Sequence, residues 1–191
     1  MFSVLAISGS LRSQSSNTRL LRAITPLTPP TLTLSIYQGM GSLPHFNPDL
    51  DNLDPDGLDP DTSNLNLSLA AVREWRSHLR AADAVLFCTP EYAHGIPGVL
   101  KNALDWIVSS GEFMNKPTAV VSASPSPDGG AKANASLTQT LKVMMASLSS
   151  STSLCIPAIS AKLDPQGKLT DPETIRAISD LLSALNRRLK T

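Results

Sequence analysis

Five short apolar runs, separated by helical patterns, constrain this chain more than any other feature. FSVLAIS (2–8), TLTLSIY (31–37), AVLFCT (84–89), TAVVSA (118–123) and LCIPAI (154–159) are mostly rich in Val, Leu and Ile. Strands covered on both faces read this way. Pro157 marks the last as an edge strand. Helical segments lie near 17–24, 67–81, 97–109, 131–148 and 172–189. In the last of these, Ile175, Ile178, Leu182 and Leu185 form one stripe, Asp171 can cap ahead of Pro172, and Arg187, Arg188 and Lys190 suit the carbonyl end. Alternation of this kind calls for a parallel sheet with right-handed crossovers and helices on both faces, a doubly wound α/β sandwich. The 191 residues suffice for one such domain spanning 1–191, and hardly for two.

That architecture locates a site before any motif is considered, because ligands of open parallel sheets sit beyond the carboxyl ends of the strands where strand order reverses. The loops to inspect begin at Gly9, Pro90 and Ser124. The first, GSLRSQSSN (9–17), has neither the Gly-Lys-Ser/Thr ending of a Walker loop nor three spaced glycines. It has hydroxyls and amides instead: Ser10, Ser15, Ser16 and Asn17 offer side-chain bonds, Arg12 can pair with phosphate oxygens, and a helix opens near Ser16 or Asn17. Serine and asparagine also cap helices with no ligand involved. The place of the loop, directly after the first strand, favours a terminal monophosphate.

In the second loop, TPEYAHGIPGVLKNALDW (89–106), Pro90 fixes the turn after the strand, Gly95 and Gly98 let backbone approach a flat ligand, and Pro97 pre-sets the next helix. Tyr92 and His94 are candidate planar or polar contacts, although a histidine in a loop is as often merely at the surface. Val99, Leu100, Ala103, Leu104, Ile107 and Val108 give the following helix an apolar surface, first a core face and second a dimer contact. No G-x-S-x-G elbow, no HExxH and no Cys/His cluster is present, so nucleophilic or metal-assisted hydrolysis lacks residues to carry it. No metal site and no catalytic side chain are expected. Sixteen basic residues balance sixteen acidic ones, which leaves no overall basic field for nucleic acid or an anionic membrane. Cys88 and Cys155 read as small buried hydrophobes in a reducing cytoplasm. The apolar start is too short for a signal peptide.

The two loop sequences, GSLRSQSSNTRLL (9–21) and PEYAHGIPGVLKNALDW (90–106), closely resemble the NADPH-dependent FMN reductase family, whose members include quinone, azo-dye and chromate reductases. They match G-S-x-R-x-x-S-x-N-x-x-L and P-E-Y-x-x-x-x-P-G-x-L-K-N-A-[IL]-D-W at every fixed position. LPHFNPDLD (43–51) and the Gly129-Gly130 pair extend the resemblance over most of the chain. It implies a flavodoxin-like fold with a five-stranded parallel sheet in the order 2-1-3-4-5. It implies bound FMN, NADPH or NADH as co-substrate, and a quinone-like, azo, metal-oxyanion or flavin acceptor served by alternating half-reactions at one site. By the same resemblance Ser10, Arg12, Ser15, Ser16 and Asn17 hold the FMN phosphate, Pro90, Glu91, Tyr92, Ala93, His94 and Gly95 lie against the isoalloxazine, and Ser124 to Gly130, with Ser124 and Gly129, supply a third wall. Many relatives carry Asn where this chain has Ala93. A homodimer or homotetramer is implied too. A flavodoxin-like electron carrier or redox-sensing module that is not an enzyme is the alternative, which net neutrality disfavours. No basic pair reads as a clamp for the 2′-phosphate of NADPH.

Residues 38–66 stand apart in composition. From Ala23 through Val72 there is no Lys or Arg, while Asp49, Asp51, Asp54, Asp56, Asp59 and Asp61 fall together. Asn52, Asp54, Asp56 and Gly57 coincide with the first positions of a calcium loop, but Ser63 stands where a bidentate glutamate is needed and Pro55 and Pro60 interrupt. The expectation is a solvated, proline-stiffened loop beside the mouth of the site.

Overall fold

In the computed structural model, which describes residues 1–51 and 63–190, each of the five apolar runs forms a strand. They are β1 (Phe2–Ser8), β2 (Leu32–Ile36), β3 (Ala84–Thr89), β4 (Thr118–Ala123) and β5 (Ser153–Ile156). All neighbours pair in parallel, in the order β2-β1-β3-β4-β5. Strand order therefore reverses between β1 and β3. Their register sets Ile7 beside Phe87 and Ser8 beside Cys88, so both strands end at one level. Every residue of β3 and β4 is buried, which is why these runs lack polar alternation.

Helices α1 (Ser16–Ile24), α2 (Pro48–Asp51), α3 (Ser63–Ala81), α4 (Gly98–Asp105), α5 (Ala131–Val143), α6 (Ile159–Lys162) and α7 (Pro172–Arg188) cover the sheet. Alternate strand residues sort into two cores. Val4, Ala6, Leu86 and Val121 pack with Leu20, Leu21 and Ile24 of α1 and Ile178, Leu182 and Leu185 of α7. Leu5, Ile7, Phe87 and Val120 pack with Trp75, Leu100, Leu104 and Leu137 on the opposite face. The two buried indoles are satisfied: Trp75 Nε1 donates to the Ala103 carbonyl and Trp106 Nε1 to the Pro44 carbonyl, both at 2.9 Å. At α7, Asp171 accepts from the Thr174 amide at 3.0 Å with Pro172 in the first turn, as the sequence suggests.

Several boundaries differ from the sequence reading. β5 stops at Ile156, Ala158 turns with φ +50°, and α6 begins at Ile159, so Pro157 lies past the strand. β5 is nonetheless an edge strand. α4 ends at Asp105 and α5 at Val143, both short of the expected 109 and 148; Met145 leaves α5 with φ +62°. Cys88 is buried, whereas Cys155 is only half-buried. Of the acidic segment, Asp51 pairs with Arg76, whose guanidinium also donates to the Trp106 carbonyl. Asn52, Asp54, Asp56, Gly57, Asp59 and Asp61, and the calcium-loop comparison with them, lie outside the described residues.

Candidate functional site

The loop after β1 leaves the sheet along β3. Gly9 donates its amide to the Cys88 carbonyl at 2.9 Å, and a Cβ here would stand 2.5 Å from Thr89 Oγ1 and 3.2 Å from Leu100. Only glycine permits that approach. The chain then turns back: the Ser15 amide donates to the Arg12 carbonyl at 3.0 Å, and Ser15 Oγ caps α1 by accepting from the Thr18 amide at 3.4 Å. Asn17 is buried and spans the sheet, donating Nδ2 to the Ala123 carbonyl at 3.1 Å while Oδ1 accepts from the Cys88 thiol at 3.2 Å. Its side chain thus ties the start of α1 to the ends of β3 and β4. Burial pushes the Cys88 thiol pKa far up, so it stays a neutral donor. The amides of Ser16 and Asn17 have no partner among the described residues, which leaves the first turn of α1 open to an anion. The Arg12 guanidinium likewise has no described partner and is exposed.

The loop after β3 folds into a tight turn in which Tyr92 and Gly95 exchange both backbone bonds at 3.0 Å. Ala93 (φ +48°) and His94 (φ +63°) are both left-handed, the geometry of a type I′ turn that Asn and Gly favour. Their amides have no partners among the described residues. Glu91 braces this turn. One carboxylate oxygen meets His94 Nδ1 at 3.1 Å; the other accepts from the Lys132 and Ala133 amides at 3.0 and 3.1 Å, capping α5. The Ala133 amide above all, and then His94, hold the Glu91 carboxyl below its ordinary 4.5.

The loop after β4 closes the third side. Ser124 and Ser126 share a hydroxyl bond of 2.8 Å, and Asp128 accepts from Ser126 Oγ and from the Gly130 amide, which together lower its pKa. Gly129 has φ +64°, and a Cβ there would stand 2.8 Å from the Ile156 backbone. Its carbonyl accepts from Ser122 Oγ at 2.8 Å and its amide donates to Ser126. Gly129 thus shapes the loop from within.

These loops enclose a cleft of about 180 Å³ at the β1/β3 switch point. Ser10, Arg12, Ser15, Ser16, Asn17, Pro90, Glu91, Tyr92 and Ser124 line it, together with Ala123, Pro125 and Ile159. Ser10 Oγ lies 3.3 Å from the Tyr92 hydroxyl, so the first and second loops meet directly. Ala93, His94, Gly95 and Gly129 stand outside this lining. Ala123 and Pro125 flank a residue singled out from the sequence. Ile159 had no sequence signal, because α6 reaches the cleft only through the turn after β5. The donor set, with one unpaired guanidinium, two open helix amides and the hydroxyls of Ser10, Ser15 and Ser16, fits a phosphate dianion.

Comparison with known proteins agrees with this fold. The family model described as NADPH-dependent FMN reductase matches residues 2–158. The NAD(P)H-dependent FMN reductase of Pseudomonas aeruginosa is 37% identical over 192 residues, covering 98% of this chain and 96% of that protein. A quinone reductase of Pseudomonas putida is 36% identical over 176 residues, covering 90% and 86%. Among solved structures, the flavoenzyme NAD(P)H:(acceptor) oxidoreductase FerB of Paracoccus denitrificans superposes with a TM-score of 0.82 at 27% identity, covering 100% of this chain and 98% of that one.

Proposed function

The chain belongs to the NADPH-dependent FMN reductase family, and from that premise we propose how its three loops work. It is an NAD(P)H-dependent oxidoreductase that uses FMN. Arg12, the Ser16 and Asn17 amides and the hydroxyls of Ser10 and Ser15 bind the FMN phosphate. The turn from Pro90 to Gly95 lies along the ring, where the Ala93 and His94 amides are its polar contacts, since Ala93 has no side-chain amide to offer. Ser124, with the loop to Gly130, forms the opposite wall. Bound FMN supplies the chemistry, taking a hydride from the nicotinamide and passing electrons to an acceptor. The protein's part is to fix the ring, leave one face open, and keep its own carboxylates tied: Glu91 on α5 and Asp128 on its own loop.

The observation that carries this reading is the convergence of Arg12, Ser10, Tyr92 and Ser124 on one cleft from three loops distant in sequence. With one open face, NAD(P)H and acceptor occupy it in turn, and the acceptor is a quinone-like, azo, metal-oxyanion or flavin oxidant. Initial rates at several fixed quinone concentrations test this. Parallel double-reciprocal lines are expected; intersecting lines mean a ternary complex, and no steady NADPH oxidation means an electron carrier.

A homodimer or homotetramer is the assembly we assign. Val108, Met114, Val143 and Met145 are all more than half exposed near the ends of α4 and α5, and a groove between these helices joins Val108 to Val143. Sedimentation velocity decides the state. Among the described residues no helix is long and apolar enough to cross a membrane. With Cys88 and Cys155 unpaired, the cytoplasm is the compartment we assign.

A further inference from the structure

A second cleft, of about 210 Å³, opens on the β2 side of the loop after β1. Arg12 and Ser10 form the partition, lining both clefts. Arg22, one turn beyond Thr18 on α1, lines the new cleft, with Gln38 across from it after β2. None of its lining residues is acidic. Arg22 is exposed, and its guanidinium, like that of Arg12, has no hydrogen bond or ion pair with any described residue. By contrast, Arg19 donates to the Asp164 carbonyl, Arg76 to Asp51 and Arg80 to Glu112. With Arg12 assigned to the flavin phosphate, Arg22 remains in this cleft as a guanidinium without a counter-charge, and a second anion seated there supplies one.

The cleft is not purely polar. Leu11 is 59% exposed at its lip and approaches Gly41, where even a Cβ would be 3.4 Å from it, and Met40 lies on the same wall. A phosphate monoester carried on a nucleoside suits such walls, with the Arg22 guanidinium for the ester and apolar edges for the base. The first cleft is already assigned to the flavin phosphate. The remaining nucleotide of the reaction is the co-substrate, and its two natural forms differ by a single phosphate monoester on the adenosine ribose.

Resting on the flavin reading above, we propose that the second cleft seats the 2′-phosphate of NADPH and that Arg22 is the residue that sets preference for NADPH over NADH. Adenosine 2′,5′-bisphosphate and adenosine 5′-monophosphate are the probes for calorimetric titration, on the protein both with and without FMN. The wild type binds the bisphosphate about tenfold more tightly, the factor one charge-assisted contact supplies, and Arg22→Gln removes the difference. In steady state Arg22→Gln raises KM for NADPH about tenfold and leaves KM for NADH within about twofold, while Arg22→Lys recovers part of the loss. Equal binding of the bisphosphate by wild type and Arg22→Gln overturns the proposal, as does a parallel rise in both KM values. Failure of the protein to retain FMN sinks the flavin reading instead, and the titration of the FMN-free protein then still decides the role of Arg22.

Discussion

Glu91 and Ala133 join two loops that are far apart in the chain: the carboxylate after β3 accepts from the amide in the first turn of α5 at 3.1 Å. The same carboxylate holds the Lys132 amide and His94. One side chain therefore fixes both the turn that we propose lies along the flavin ring and the first turn of α5.

This brace makes stability depend on pH with a definite sign. The folded-state pKa of Glu91 lies below its ordinary 4.5, so the stabilisation is fully present above that value and is lost as pH falls through the depressed folded one. Thermal unfolding of wild type and Glu91→Gln from pH 7 to pH 3 checks this. The gap in Tm between them is expected to be widest near neutrality and to shrink below about pH 4.5.

The Tyr92–Gly95 turn carries strain at Ala93, whose φ is +48°. Asparagine tolerates this conformation better than alanine, so Ala93→Asn is expected to stabilise the fold by about 1 kcal/mol and Ala93→Val to destabilise it by at least as much. Denaturant unfolding measures both.

Gly129 is held to its residue type twice over, by a φ of +64° and by the Ile156 backbone 2.8 Å from where a Cβ would lie. Gly129→Ala is expected to cost about 2–4 kcal/mol, because the obstacle is backbone and cannot swing aside. Gly98, whose added Cβ meets nothing within 4 Å, is the control: Gly98→Ala should leave the midpoint of unfolding unchanged or slightly raised.

Asn102 latches the 43–47 segment onto α4, with Oδ1 accepting from the Phe46 amide at 2.8 Å and Nδ2 donating to the Pro44 carbonyl at 2.9 Å. Asn102→Ala strands a partly buried donor and is expected to cost about 1–3 kcal/mol. Amide exchange at Phe46 should accelerate more than exchange in β3.

The parts legible in the sequence share a physical reason. β3 and β4 are buried on both faces, so apolar continuity alone marks them; β5 is short, opens with an exposed serine and ends before Pro157, and its bounds shifted accordingly. Helix α5 overran its true end because Met145 adopts φ +62° without being a glycine, which no propensity signals. The hydroxyls and Arg12 of the first loop were legible because they are local. The bonds of Asn17 to Ala123 and of Glu91 to Ala133 were not, since their partners are fixed only by strand order. Nor was the second cleft, which needs α1 and the end of β2 side by side.

The central claim is that the loop after β1 holds a phosphate dianion. Binding of FMN and of riboflavin, which lacks the phosphate, to FMN-free protein tests it most directly. Wild type is expected to bind FMN about 100-fold more tightly than riboflavin, and Arg12→Ala to weaken FMN about tenfold or more while riboflavin binding stays unchanged. Equal affinity of the wild type for both flavins, or undiminished FMN binding by Arg12→Ala, contradicts the account.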